Sequence, residues 1–242
     1  MESKRFIKIS SIITAVMLFL QFGTWLVNDL LWTLLQWSSS FRLPYYLPLQ
    51  VALVATALVS LIARKKDTLA EKPSAFSVIM PILTMVITVA WVVVVFVLNL
   101  IKTIITARMN HLIEIQAATI GELMSTQAYL GHFIGICDFL FALCFLVLFA
   151  VAFFKAKDRG SVIKTEFAKI ATVAIVMIVS FFNTVIFIAN SILARTSGPE
   201  VLSKMHTAIS GISLIVTLMV TLALAVVALL LGLISKKEKE SV

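Results

Sequence analysis

Two carboxylic acids, Asp29 and Asp138, lie within long apolar stretches of the sequence, and they are the residues best placed to carry chemistry. An ionisable side chain at the centre of a membrane helix costs about 2.5–3.5 kcal/mol on insertion scales, so such a residue is a candidate for function. Asp138 is the deeper of the two, roughly 10 Å from the start of its stretch. We expect Asp138 to be buried and hydrogen-bonded to a neighbouring helix. A direct proton relay with His132 is disfavoured, because the two side chains do not share a helix face.

Further polar residues fall in the middle or at the outer end of the apolar stretches, meaning the end away from the Lys- and Arg-rich loops. They predict a polar cavity that opens outward, or a polar cluster near the outer surface, with Lys102 as a counter-ion for Asp29 or Asp138. The alternative is that helix ends near water tolerate polar side chains, and that amides in the membrane bond between helices as structural contacts. The full candidate set is Asp138, Asp29, Lys102, His132, Asn28, Asn99, Asn183 and Asn190.

Small residues line the same helix face as Asp138. Gly131, Gly135, Asp138 and Ala142 follow one another at steps of four, three and four, which places them on one stripe. The two glycines form a GxxxG pattern, which lets another membrane helix approach closely. The spacing therefore predicts a helix-packing face made by Gly131, Gly135 and Ala142.

Motifs for the common kinds of catalysis are missing from the sequence. It has no GxxxxGK[ST] loop for nucleotide phosphates, no HExxH, and no Ser or Cys in a recognisable nucleophile motif. The three histidines are dispersed rather than clustered at metal-ligand spacing. We therefore expect no metal, no cofactor and no enzymatic activity. An intramembrane enzyme that uses Asp138 with His132 or Asp29 is the least favoured of the functions considered.

The composition determines the class of protein that must position these residues. The chain has 242 residues, of which 61% are hydrophobic and 13% are charged, against about 45–50% and about 25% in a soluble domain. The excess apolar surface must face lipid, where the backbone can only be helical or a closed barrel. We predict an all-α, polytopic membrane helix bundle in a single domain, 1–242, with about six transmembrane helices arranged as three hairpins. The predicted spans are 6–35, 47–63, 75–101, 131–154, 168–193 and 208–234.

The distribution of basic residues predicts the orientation. Fifteen of the 20 Lys and Arg residues fall at the two termini and in the loops after the second and fourth spans, counting Lys8 and Lys169 at the adjoining ends of the first and fifth spans. Cytoplasmic loops are enriched in Lys and Arg, so we expect both termini in the cytoplasm and the protein in the plasma membrane. The net charge of +8 is then a consequence of topology, and no nucleic acid partner is expected. The segment 47–63 is the shortest predicted span, and the topology of everything after it depends on whether it crosses.

The longest outer segment, 102–130, has apolar residues mainly three or four positions apart. This spacing is typical of an amphipathic helix. It could lie on the outer leaflet, cover the bundle, or extend the third span into water. As a function it could be a lid or docking surface, and the alternative is an ordinary helical connection.

Two functions remain after these exclusions. The first is a small permease-type transport component with an outward-facing polar region that handles a small solute. Short matches between 96–99 and 187–190 hint at repeated hairpins, which often frame transport sites. The second is a non-catalytic accessory protein that binds a partner membrane protein, or an external peptide or toxin, through 102–130 and the GxxxG face. We expect the lipid bilayer as a partner, and the sequence does not fix an oligomeric state.

Overall fold

A computed structural model describes residues 2–35, 46–67, 75–112, 117–156, 158–193 and 199–237, and its regular structure there is entirely α-helical. Across these ranges the chain forms six long helices and one short one. The helices are α1 (Glu2–Leu35), α2 (Leu47–Asp67), α3 (Ala75–Leu112), α4 (Ala117–Lys155), α5 (Arg159–Thr165), α6 (Phe167–Leu193) and α7 (Pro199–Lys237).

Five of the helices are long and apolar enough to cross a membrane. Their apolar parts are Arg5–Asn28, Val78–Arg108, Tyr129–Lys155, Phe167–Ala189 and Lys204–Leu233. The apolar part of α2, Leu47–Ala63, is shorter. Its 17 residues rise about 26 Å against a hydrocarbon core of about 30 Å. The all-helical fold, with five helices long and apolar enough to span a membrane, is thus confirmed, whereas the crossing itself and a sixth span at 47–63 stay predictions.

The six long helices pack in a closed ring in the order α1, α2, α3, α4, α6 and α7, and α7 returns to α1. Each helix therefore packs against its neighbours in the chain, as hairpins require. The α6 helix also contacts α1 and α2 across the ring, so the interior is packed. The short α5 contacts α1, α4 and α6.

Contacts between distant residues show that neighbouring helices run in alternating directions. The Ser10 hydroxyl donates to the Thr165 carbonyl at 3.3 Å, and a Cβ added to Gly232 would lie 3.5 Å from Ile12 Cγ1. The start of α1, the start of α6 and the end of α7 therefore meet at one end of the bundle. We call this the proximal end, and the other the distal end.

The outer surface and the interior of the bundle differ in chemistry. Large apolar side chains such as Val86, Phe96 and Met219 are exposed on the outside of the helices, which is the pattern expected of a helix that faces lipid. Polar side chains are buried on all six long helices. They are Ser10, Ser11, Thr14, Gln21, Asn28, Gln50, Thr56, Thr84, Thr88, Asp138, Lys169, Thr172, Thr217 and Thr221.

The predicted outer segment 102–130 does not form a helix of its own. The α3 helix continues without a break to Leu112, and α4 begins at Ala117, so the segment is divided between the two; residues 113–116 lie outside the described ranges. Of the three placements open from the sequence, the structure has the extension of the third span. The 38 residues of α3 rise about 57 Å, well beyond the thickness of a hydrocarbon core.

Candidate functional site

A continuous row of aromatic rings connects the first four helices. Trp25 of α1 contacts Tyr46, just before α2, edge to face at 6.4 Å between ring centroids. Tyr46 contacts Trp91 of α3 at 5.5 Å. Trp91 in turn contacts Phe141 and Phe145 of α4 at 6.2 and 6.0 Å. Aromatic pairs at these separations add about 0.5–1.5 kcal/mol each beyond the area they bury, so the row fixes how α1 to α4 pack.

Asp138 lies next to this row and is bonded to it. The Trp91 indole Nε1–H donates to Asp138 Oδ1 at 2.7 Å. Trp91 is fully buried, and Asp138 is 7% exposed. Asp138 thus has the environment predicted from the sequence, buried and bonded to a neighbouring helix. Among the described residues its hydrogen-bond partner is Trp91 rather than Lys102.

The other predicted polar residues are spread around the bundle. Asn28 is buried on α1. Asn99 and Asn183 are exposed, and the Asn99 amide donates to the Val95 carbonyl of its own helix at 2.9 Å. The side chains of Asp29 and Asn190 lie outside the described residues. Helical phase explains the spread, since residues at a similar depth face the interior or the lipid according to their position around the helix axis.

His132 and Lys102 lie in the distal halves of α4 and α3. The His132 ring contacts Phe187 of α6 edge to face at 4.5 Å. Lys102 Nζ approaches α4, where it would lie 3.9 Å from a Cβ added to Gly131. The structure therefore brings Lys102 to the first glycine of the GxxxG pattern and leaves it about seven residues of α4 away from Asp138.

The three residues of the predicted packing face differ in their surroundings. Ala142 is buried. A Cβ added to Gly135 would have no heavy atom of the described chain within 4 Å. Ala142 is thus packed against the interior. Of the two glycines, only Gly131 has a neighbour within 4 Å in the described chain, the Lys102 side chain. The packing role of the GxxxG pattern stays a prediction.

The buried hydroxyls donate their protons mainly to their own helices. Thr14, Thr88, Thr172 and Thr221 each donate to the carbonyl four residues before them, at 2.7–2.9 Å. Their oxygen lone pairs remain available. Ser11 and Thr217 are buried hydroxyls for which the described structure contains no hydrogen-bond partner. The interior therefore offers hydrogen-bonding capacity that the helices themselves do not use.

A small recess of about 10 Å³, room for about one water molecule, lies at the proximal end. It is where α2 and α3 meet the junction between α5 and α6. Inside it Glu166 forms an ion pair with Lys169, and Lys169 is only 4% exposed. The lining residues are Thr56, Ala57, Ser60, Pro81, Thr84, Thr165, Glu166 and Lys169.

Sequence reasoning missed this recess. It interpreted Lys169 as one of the basic residues that orient the chain, and it did not consider Glu166. A usable signal was present, because Glu166 and Lys169 are three residues apart at the start of an apolar helix, where such a pair shares one face. The hydroxyls on α2 and α3 that complete the recess are about 80 to 110 positions away in the chain, so no local pattern connects them.

Comparison of the chain with models of known families, with curated proteins and with solved structures found no match in any of the three. Within the described ranges, no group of three or more His, Cys, Asp or Glu residues is arranged to hold a metal ion. The functional interpretation therefore depends on the geometry of the bundle.

Proposed function

We propose that this protein is a small permease-type transport component of the plasma membrane, which admits a small polar solute into the interior of its helix bundle. The observation that carries the proposal is the set of polar side chains buried on all six long helices. Burying a hydroxyl or amide in an apolar medium costs about 1–3 kcal/mol when it lacks a partner. Most of these hydroxyls avoid that cost by bonding their own helix, so they add hydrogen-bond acceptors to the interior without joining helices, which favours a role in holding a solute.

The buried polar residues of α1 form a strip along most of its length. Ser10, Ser11, Thr14, Gln21 and Asn28 are all buried on this helix, and steps of three, four and seven keep such residues on one face. The strip begins near the recess, because Ser10 donates to the carbonyl of Thr165. A solute could exchange hydrogen bonds with this strip between the proximal and the distal end.

The packed interior supports a permease rather than an open channel. The α6 helix contacts both α1 and α2 across the ring, so passage requires the helices to move. Alternating access in small transporters uses movements of this kind, with one group of helices rocking against the other.

The transport proposal is tested by solute flux into proteoliposomes, with two matched variants. Thr221 and Thr184 both donate to the carbonyl four residues before them, at 2.7 and 2.8 Å. Thr221 is fully buried, whereas Thr184 is exposed. We expect Thr221→Val to slow the uptake of a permeant small solute several-fold and Thr184→Val to leave it unchanged. Equal uptake by wild type and empty liposomes across a panel of neutral, anionic and cationic solutes would refute transport.

The topology belongs to the same proposal: α2 crosses the membrane as a sixth span, and both termini are cytoplasmic. In support, the apolar part of α2, Leu47–Ala63, rises about 26 Å, and local thinning of the bilayer with snorkelling of the basic residues that follow accommodates a span a few ångströms short of the hydrocarbon core. Single cysteines are introduced at Lys65, Lys155 and Tyr129 after Cys137 and Cys144 are replaced. We expect an impermeant thiol reagent to label positions 65 and 155 only from the cytoplasm and position 129 only from outside. Labelling of 65 and 155 from opposite sides contradicts six spans.

A second candidate function, a non-catalytic accessory protein, is favoured by the length of α3 and α4. They have 38 and 39 residues, about twice the number that spans a bilayer, and both extend at the distal end. Such a pair could present a surface to a partner membrane protein or an external peptide. Under this hypothesis, deletion of 106–118 abolishes recovery of a cross-linked partner from native membranes, while Asp138→Asn has little effect.

A further inference from the structure

The side chains that line the recess at the proximal end offer many hydrogen-bond acceptors and few free donors. Four of its lining side chains are hydroxyls, which come from α2, α3 and α5: Thr56, Ser60, Thr84 and Thr165. A hydroxyl has one proton to donate and two lone pairs that accept. The direction in which these four hydroxyls donate therefore determines which ligands the recess can hold.

All four hydroxyls donate to backbone carbonyls of their own helices. Thr56 donates to Ala52 at 2.8 Å, and Ser60 donates to Thr56 at 2.9 Å. Thr84 donates to the Met80 carbonyl at 2.9 Å. Thr165 likewise donates to its own helix, to the carbonyl four residues before it at 3.0 Å. The protons of the hydroxyls are thereby used, and their lone pairs are what remains for a ligand.

The remaining lining residues make the recess still poorer in donors. Pro81 has no backbone N–H, and Ala57 has an apolar side chain. Glu166 adds a carboxylate, which accepts when ionised. Lys169 is therefore the one lining side chain with donor protons that are not given to a backbone carbonyl, and it pairs with Glu166.

We propose that this recess is a binding site for a small ammonium-type monovalent cation, and that the ammonium group of Lys169 occupies it in the resting chain. An anion would need donors that the lining does not offer. A cation with N–H groups would find one carboxylate and four hydroxyl oxygens. The binding site is inferred from the residues that line the recess. Its use as the cytoplasmic entry for a cationic solute depends on the proposed transport function.

The position of Lys169 explains how an incoming cation could displace its ammonium group from Glu166. Its ammonium group has three donor protons, and within the described chain its hydrogen-bond partner is Glu166 alone. Lys169 is on the first turn of α6, and its flexible four-carbon stem can carry the charge toward the mouth of the recess. An incoming cation would replace one ammonium group by another at Glu166, so charge is conserved at each step.

The test is a chemical rescue of Lys169→Ala in detergent, with choline chloride as background salt because choline is bulky and its nitrogen has no N–H. We expect the variant to have a lower Tm than wild type, since Glu166 loses its partner. Methylammonium at about ten times its Kd should raise the Tm of the variant by about 3–6 °C and should leave the Tm of wild type unchanged. Sodium and potassium, assayed separately, show whether N–H groups are required.

Two control variants make the rescue specific. Glu166→Gln/Lys169→Ala removes the carboxylate as well, and Lys164→Ala removes a nearby positive charge that does not line the recess. Neither should respond to methylammonium. An equal response by the double variant, or no response by Lys169→Ala, overturns the proposal. If Lys169→Ala does not accumulate, Lys169→Val replaces it, because valine has no donor and leaves room beside Glu166; the same rise is expected and its absence is equally decisive.

The rescue also separates this site from the transport proposal, because it measures binding without a membrane. A methylammonium response together with no flux in liposomes would refute transport and retain the site. Flux without a response would retain transport and refute the site.

Discussion

The bond between Trp91 and Asp138 gives the sharpest prediction about stability. Trp91→Phe removes the only hydrogen-bond donor of that ring, and Asp138→Leu replaces the acceptor with an apolar side chain of similar size. Each change alone leaves a buried polar group without its partner, at a cost of about 1–3 kcal/mol. The double variant removes both groups, so its loss of stability should be smaller than the sum of the two single losses.

The magnitude of this coupling follows from the geometry. Hydrogen bonds between membrane helices contribute about 0.6 kcal/mol on average and about 1.7 kcal/mol at most. The pair here is at 2.7 Å and both residues are buried, so we expect a value near the upper end, about 1.5 kcal/mol. Asp138→Asn should cost less than about 1 kcal/mol, because its amide oxygen can still accept from the indole.

The assay is unfolding of purified protein in mild detergent by increasing fractions of SDS, followed by helicity. Trp25→Phe is the matched control, because Trp25 belongs to the same aromatic row and contacts Tyr46 rather than Asp138. Its coupling to Asp138→Leu should be within about 0.5 kcal/mol of zero. A coupling below about 0.5 kcal/mol for Trp91, or an equal coupling for Trp25, would show that the bond does not organise this part of the bundle.

Two further predictions concern the contacts of α1 at the proximal end. Ser10→Ala should lower the free energy of unfolding by about 1 kcal/mol, because the Ser10 hydroxyl bonds to Thr165. Ser11→Ala should be neutral or stabilising, because the Ser11 hydroxyl makes no hydrogen bond in the described structure. SDS unfolding of the two variants side by side checks this, and an equal loss of stability would contradict it. Gly232→Ala should be tolerated, because the new Cβ would lie at an ordinary contact distance of 3.5 Å from Ile12. Gly232→Leu should lower the free energy of unfolding by about 1–3 kcal/mol, because the larger side chain forces α7 away from α1. Equal stability of the two variants would refute the close approach.

The sequence predicted what depends on composition and failed where contacts are distant. Apolar stretches of the required length predicted the helices that are long and apolar enough to cross a membrane. The rarity of acids in such stretches predicted a buried, bonded Asp138. Its partner Trp91 could not be predicted, because a tryptophan 47 positions away looks like any other aromatic residue in an apolar helix.

The polar residues at the outer ends illustrate a second limit. Position along a helix gives depth in the membrane, but packing partners decide which side of the helix faces inward. Asn99 was grouped with Asp138 by depth, yet it is exposed and bonds its own helix. Lys169 was interpreted through its charge alone, and only the fold shows that it is buried with Glu166.

The closure of the ring by its first and last helices has a consequence for biogenesis. Gly232 packs beside Ile12, although more than 200 positions separate them in the chain. At translation rates of about 5–20 residues per second, α1 waits roughly 10–40 s for the helix that seals its flank. During that interval the face of α1 that carries Ser11 lacks its cover by α7, so we expect chains truncated before α7 to be degraded faster than the full chain.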